Sequence, residues 1–207
     1  MMSVTAETVG LTIADAAVLP VPVGRLSVEK YHKMIRQGIL TENDRMELLD
    51  GILVRKMTIN PPHRLVTQLL DEVLRSVLPQ GWHVQTQSPV TLTTSEPESD
   101  GMIVRGGLRD YRERHPSPSE VAIAIEVADA TLATDRTLKM ALYAQAGIAV
   151  YWVVNLIDRQ IEVYMEPTGA VERPGYAGRR DYSPLDEVPV VIAGHDAGRI
   201  PVANLLP

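Results

Sequence analysis

The chain has 207 residues, 45% of them hydrophobic and 22% charged, with a formal net charge of −6 at pH 7. An intrinsically disordered chain would be poorer in apolar side chains, and a protein that coats nucleic acid is usually basic, so the sequence argues against both classes. The absence of cysteine excludes a disulfide scaffold, a thiol nucleophile and a cysteine zinc site.

The first residues form an expected N-terminal arm, residues 1–26, ahead of a single domain at residues 27–207. The arm carries Glu7 and Asp15 and lacks a basic start, so a signal peptide is not expected. No uncharged apolar run approaches the roughly 20 residues that a membrane-spanning helix needs. Together with the missing cysteines, this predicts a soluble, cytoplasmic protein without membrane contact.

Two helices and a turn are predicted in the first part of the domain. Ser27 is a candidate N-cap for a helix that runs to about Gln37 and stops at Gly38. Asp50-Gly51 predicts a turn that leads into a strand. A second helix begins near Pro61, since proline suits the first helical turn. Apolar residues four apart extend this helix to about residue 78: Leu65, Leu69, Val73 and Val77.

Short β-like runs separated by turn residues follow the second helix, at residues 83–93, 101–105, 121–127, 150–156 and 160–165. A helix at residues 135–146, closed by Gly147, is predicted between the third and fourth runs. Residues 166–190 are rich in proline, glycine and charge, and are expected to form a surface excursion. The apolar residues 200–206 are expected to dock the C terminus. The order of elements predicts a mixed α/β (α+β) fold.

Two acids stand where strands begin or end. The run at residues 121–127 is apolar at nearly every position except Glu126, as in a strand buried on both faces, and a buried acid needs a compensating partner. Asp100 opens the preceding strand. If these strands are antiparallel neighbours, both acids lie at the same end of the sheet, with Glu47 and Glu98 as further acids that could lie nearby.

A pair of carboxylates suits metal-dependent hydrolysis of a phosphodiester. A divalent cation neutralises charge on the phosphate and lowers the pKa of bound water, and Mg²⁺ prefers one or two carboxylates plus waters. Acids at strand ends are also common as merely solvated residues. Spacing alone therefore leaves both interpretations open.

Several motifs occur in order between Ser27 and about Pro167. They include DRMELLDG at residues 44–51, Pro62-His63, QSPVTL at residues 87–92, EPESD at residues 96–100, EVADATLATDRTLK at residues 126–139 and YWVVN at residues 151–155. Together they cover about two-thirds of the chain and resemble the Uma-two family of restriction-endonuclease-like proteins in the PD-(D/E)XK nuclease superfamily. The resemblance implies a restriction-endonuclease-like core, a central mixed sheet flanked by helices.

The resemblance also implies roles for individual residues. Asp100 and Glu126 would bind the metal, together with the backbone carbonyl of Val127. The superfamily lysine normally stands two residues after the second acid, where this chain has Ala128. The family pattern places a lysine on the following helix instead, at Lys139, which would orient the attacking water and stabilise developing negative charge.

Two observations leave alternatives open. Lys139 could simply pair with Asp135 one helical turn earlier. The family usually has proline directly before its first metal acid, and here that residue is Ser99. Proline ligates nothing, so the metal site is expected to persist.

Further positions that match the family are expected to support the site. Glu98 would act through water, Glu47 near the metal, and Gln87 on metal-bound water or phosphate. His63 stands at the start of the long helix, and Tyr143 lies one turn after Lys139. Hydrogen bonding within the fold is the alternative role for Gln87 and His63, and packing for Tyr143.

The sequence thus predicts a Mg²⁺- or Mn²⁺-dependent endonuclease that hydrolyses DNA and forms a homodimer by analogy. The loop at residues 105–114, which carries arginines, is the candidate DNA contact or else a solvated loop. One alternative is a catalytically inactive nuclease-fold module that binds nucleic acid or a protein. Another is a metal-dependent hydrolase of other phosphorylated substrates.

Overall fold

The first helix begins and ends as predicted. The computed structural model describes residues 24–207, so the predicted arm at residues 1–26 lies outside the described residues except for residues 24–26. Helix α1 covers Val28–Arg36 and begins where the Ser27 hydroxyl accepts a hydrogen bond from the backbone N–H of Lys30, at 3.3 Å. Gln37 closes the helix before Gly38, whose φ of 69° is the left-handed conformation that glycine adopts at helix ends.

A hairpin and a long helix follow α1. Strands β1 (Met46–Leu49) and β2 (Ile52–Arg55) pair antiparallel across the Asp50-Gly51 turn. The sequence therefore predicted the turn and the second strand, and missed the first strand. Helix α2 covers Pro61–Arg75, with proline in its first turn as expected and its end slightly before residue 78.

A six-stranded mixed sheet, in the order β3-β4-β5-β6-β7-β8, forms the centre of the protein. Its neighbouring strands are antiparallel except for β5 and β6, which are parallel and therefore need a crossover connection. The sheet confirms the predicted mixed α/β fold. Its strands are β3 (Trp82–Pro89), β4 (Glu98–Arg105), β5 (Val121–Ala128), β6 (Val150–Asn155), β7 (Gln160–Pro167) and β8 (Tyr176–Tyr182).

Helix α3, at residues 132–145, is the crossover between β5 and β6. It begins with an α-helical turn at Leu132–Thr134, widens to a π-helical turn at Asp135–Lys139, and continues as α-helix at Met140–Gln145. In the wide turn, the Met140 N–H donates to the carbonyl of Asp135, five residues earlier. Such π-turns are rare and occur frequently at functional sites.

The sheet separates two apolar cores. On one face, α2, the hairpin of β9 (Glu187–Ile192) and β10 (His195–Pro201), and the C terminus pack against the strands. On the other face, α3 and the β1–β2 hairpin contribute to the core. No helix among residues 24–207 is both long and apolar enough to cross a bilayer.

The expectation of a surface excursion at residues 166–190 holds for residues 168–175, which form an irregular, largely exposed connection, and is wrong for the strands that follow. β8 extends the central sheet by pairing with β7, and Tyr182 is buried. Val188 and Val190 of β9 are fully buried, because alternate residues of this strand face the first core. The expected docking of the C terminus is confirmed by Val202 and Leu205, both fully buried.

Candidate active site

Asp100 and Glu126 lie at the same end of two neighbouring strands. β4 and β5 run antiparallel, and Gly101 pairs with Ile125. Asp100, just before Gly101, therefore stands beside Glu126, just after Ile125. Oδ2 of Asp100 accepts a hydrogen bond from the backbone N–H of Val127, at 2.8 Å. The two acids predicted from the sequence therefore come together, as the antiparallel arrangement requires.

Both acids line one cavity of about 230 Å³, with walls from β1, β2, β4, β5, α2 and α3. The cavity combines many acids with several basic groups. Its charged residues and histidine are Arg45, Glu47, Arg55, Lys56, His63, Glu98, Asp100, Glu126, Asp135 and Lys139.

Glu126 is 2% exposed and held at both oxygens. Oε1 accepts a hydrogen bond from the Tyr143 hydroxyl at 2.7 Å, and Oε2 accepts one from Lys139 Nζ at 2.9 Å. Burial raises the pKa of Glu126 well above its ordinary value, although the charge of Lys139 acts in the opposite direction. Glu126 is thus a fixed, buried carboxyl group whose ionised form depends on nearby positive charge.

Lys139 reaches the acids from the π-helical turn of α3. Besides Glu126, its Nζ donates to the backbone carbonyl of Glu98 at 3.0 Å and lies 3.9 Å from Oε2 of Glu47. Burial opposes the charged form, but the carboxylates of Glu126 and Glu47 raise the pKa of Lys139 well above its ordinary value. The ammonium group remains protonated, so it can donate hydrogen bonds and stabilise negative charge but cannot accept a proton.

Asp100 also contacts His63 from the first turn of α2. Nε2 of the imidazole lies 3.1 Å from Oδ2 of Asp100. Burial alone would raise the pKa of Asp100, but the hydrogen bond with His63 and the charge of Lys139 lower it. Both hydrogen bonds to Asp100 end on Oδ2, which leaves Oδ1 as the oxygen available to a cation.

Asp135 is a further acid of the cavity that the sequence interpretation considered only as a partner for Lys139 or a helix-start residue. It is 2% exposed, and its Oδ2 is buried without a hydrogen-bond partner among residues 24–207. Burial raises the pKa of Asp135 to about 6, although Lys139 opposes the shift. Its spacing of four residues from Lys139 was the signal that could have placed it here, since such residues share a helix face.

The buried acids of the cavity outnumber the cations that reach them. The charge of Lys139 is shared mainly by four acids, Glu47, Asp100, Glu126 and Asp135. One Asp135 oxygen has no hydrogen-bond partner among residues 24–207, so a further positive charge would be needed to compensate these acids. No three His, Asp or Glu side chains in the described part of the chain stand close enough to form a ready-made ligand shell. The residues therefore fit a cation that keeps most of its waters and takes one or two carboxylates, as Mg²⁺ does.

Of the remaining predicted residues, Glu47 and Glu98 line this cavity, and Gln87 does not. Oε2 of Glu47 accepts a hydrogen bond from the backbone N–H of Glu98 at 3.0 Å, and the Glu98 side chain pairs with Lys56. Gln87 is exposed, has a φ of 47°, and faces a separate groove beside Arg64 of α2. The structure does not bring Gln87 to the carboxylates.

Ser99, which stands where proline was expected, holds the strand end in place. Its buried hydroxyl lies 2.7 Å from the carbonyl oxygen of Gly101 and 2.9 Å from that of Ile125. The contact with Ile125 joins β4 to β5 next to Asp100, so the serine holds this strand end by hydrogen bonding.

The loop at residues 105–114 begins far from the acids. Arg105 is the last residue of β4, at the other end of the strand from Asp100. Its guanidinium carbon lies over the ring of Trp82, 5.3 Å from the ring centroid. Arg112 pairs with Glu113 within the loop. Arg114 donates to both oxygens of Glu120, at 2.7 and 2.6 Å. Two of the four arginines of this loop are therefore paired with acids.

Comparisons with known proteins identify a family and a similar fold. A family model, Uma2, described as "Putative restriction endonuclease", matches residues 28–193. The chain is also similar to a crystal structure from Anabaena variabilis, described as "a putative nuclease belonging to DUF820". That similarity has a TM-score of 0.62 at 16% identity and covers 87% of this chain and 97% of the other, so it bears on the fold. No curated protein matches the chain.

Proposed function

Because the chain belongs to the Uma2 family, we propose that it is a metal-dependent endonuclease that hydrolyses DNA phosphodiester bonds with water as the nucleophile. One observation carries the proposal. Two carboxylates from adjacent strand ends, Asp100 and Glu126, share a cavity with the ammonium group of Lys139 from the following helix.

The proposed cation is Mg²⁺ or Mn²⁺, held by Asp100, Glu126 and the backbone carbonyl of Val127, with waters completing its shell. When bound, such an ion neutralises charge on the phosphate and lowers the pKa of water. The fit rests on the excess of carboxylates and on the buried Asp135 oxygen that lacks a partner within residues 24–207.

The chain's own residues would orient the reactants and stabilise charge. Lys139, kept protonated by its carboxylate neighbours, would hold the attacking water and stabilise the negative charge that develops on the phosphate. Tyr143 restricts the rotation of the Glu126 carboxylate through its hydrogen bond to Oε1. His63 and the Val127 N–H fix Asp100 in the same way.

The proposal is tested by calorimetric titration with Mn²⁺ and by nicking of supercoiled plasmid. Wild type should show binding heat and Mn²⁺-dependent nicking, and Asp100→Ala should lose both. Asp71→Asn, on the exposed side of α2, is a matched control that should retain both. A wild-type protein without metal heat, or with heat and nicking that survive Asp100→Ala, would overturn the proposal in favour of an inactive binding module.

We further propose that the protein is a homodimer, because cutting both strands of a duplex calls for two active sites. A cytoplasmic location is proposed because the sequence has no cysteine, which fits a reducing compartment. Light scattering during size-exclusion chromatography would give the mass in solution. A strictly monomeric mass with and without DNA would contradict the dimer but leave single-strand nicking intact.

A further inference from the structure

Two arginines stand at the mouth of the acidic cavity. Arg45 precedes β1 and Arg55 ends β2, so the antiparallel pairing brings them to the same open end of the hairpin. Both are exposed and both line the cavity. Neither forms an ion pair with any acid in the part of the chain that the structure describes, residues 24–207.

The backbone at Arg45 is held in an unusual conformation. Its φ of 52° lies in the left-handed region, which is uncommon for a residue other than glycine. Its carbonyl accepts a hydrogen bond from the N–H of Lys56 at 2.8 Å, and its Nη2 donates to the carbonyl of Met57 at 2.8 Å. One donor thus anchors the guanidinium group at the cavity mouth, and the others remain available to a ligand.

The other cations around the cavity are already engaged. Lys139 is bound to Glu126, and Lys56 is bound to Glu98. A phosphate that approaches the carboxylates is repelled unless positive charge compensates it at the entrance. Arginine suits this task because its planar guanidinium group donates two parallel hydrogen bonds to phosphate oxygens.

Apolar side chains accompany the arginines. Met57 and Ile59, in the connection between β2 and α2, line the same cavity and are 61% and 40% exposed. They give a ligand that enters the cavity an apolar surface to pack against. A nucleic acid strand alternates anionic phosphates with apolar sugar faces, so its chemistry matches both features of this edge.

We infer that Arg45 and Arg55 bind the DNA phosphates that flank the scissile bond, so that the duplex enters across the β1–β2 hairpin. This inference rests on the proposed endonuclease function. It differs from the sequence prediction, which assigned DNA contact to the loop at residues 105–114. No residue of that loop lines the cavity, and its Arg112 and Arg114 are paired with acids.

The test measures binding separately from cleavage. A fluorescein-labelled duplex is titrated in Ca²⁺ in place of Mg²⁺, with intact duplex verified on a gel, and fluorescence anisotropy gives the Kd over a range of salt concentrations. The double variant Arg45→Ala/Arg55→Ala should weaken binding by roughly tenfold or more. It should also reduce the slope of log affinity against log salt by about two, one for each phosphate contact.

The control is Arg112→Ala/Arg114→Ala, which removes the same charge and should change the Kd less than about threefold. Thermal unfolding and Mn²⁺ heat verify that both double variants keep the fold and the carboxylate site. Equal Kd values for wild type and Arg45→Ala/Arg55→Ala, or a larger loss in the control, would overturn the inference while wild-type nicking upholds the proposed function. A wild type that neither binds nor nicks DNA would overturn both.

Discussion

Replacing Asp135 by asparagine should stabilise the metal-free protein at neutral pH. The carboxyl group is 2% exposed and its pKa is raised from 3.8 to about 6, chiefly by burial. The folded protein therefore binds the Asp135 proton more tightly than the unfolded chain does. The stabilising contribution of this proton is fully present below the pKa that Asp135 has in the unfolded chain. It is lost as the pH rises through the pKa of the folded protein.

The size of the effect follows from the two pKa values. A shift of one pKa unit corresponds to about 1.4 kcal/mol, so the ionised Asp135 costs about 3 kcal/mol at about pH 7.5. At about pH 4.5 most of the folded protein still holds the proton, and the cost is about 1 kcal/mol. An asparagine side chain cannot ionise, so the stability of the Asp135→Asn variant should exceed that of wild type by these amounts.

Urea unfolding in EDTA at the two pH values measures the difference. Asp71→Asn is the control, because Asp71 forms only a surface pair with Arg75 and its loss should change stability by less than about 0.5 kcal/mol. Adding Mg²⁺ should narrow the gap between wild type and Asp135→Asn, since a bound cation compensates the carboxylate. A stability change for Asp135→Asn that is the same at both pH values would refute the reasoning.

Three further substitutions probe the buried charges. Lys139→Met leaves Glu126 without its cation, so urea unfolding in EDTA should show a loss of about 3–5 kcal/mol. Plasmid nicking should also disappear, and unchanged nicking would rule out the proposed role of Lys139. Tyr143→Phe removes one hydrogen bond to Glu126, which should lower the unfolding free energy by about 1–2 kcal/mol and slow nicking without abolishing Mn²⁺ heat. Arg136→Ala removes one of the two arginines paired with the buried Glu162, while Arg179 remains 3.4 Å from it. The loss in urea unfolding should therefore be about 1–3 kcal/mol, with no change in Mn²⁺ heat; a loss of metal binding alone would contradict a purely structural pair.

The pairing of the two acids was predictable because it follows from local patterns. An apolar run interrupted by Glu126 predicts a buried strand, and Asp100 at the start of the strand before it predicts a shared sheet end. The resemblance added Lys139, whose distance along the chain from Glu126 gives no geometric guidance. Its position depends on how α3 packs against β5, which is a tertiary property.

Other features depend on packing that no local pattern reveals. β8 reads as a polar, glycine-containing segment because it is an edge strand, and only its pairing with β7 makes it part of the sheet. Gln87 matched the family by position, but its strand directs it to a different groove. Arg45 and Arg55 look like ordinary surface residues until the hairpin brings them to the cavity mouth.

The widened turn of α3 fits one residue more into a single turn than a regular α-helix holds. Deleting the exposed Thr137 would return this turn to α-helical pitch, because the hydrogen bond would then join residues four apart instead of five. Lys139 and Tyr143 would keep their bonds to Glu126, and Asp135 would stay in the cavity. The segment that carries the proposed catalytic lysine therefore tolerates the loss of one residue, which a regular helix would convert into a rotation of about 100°.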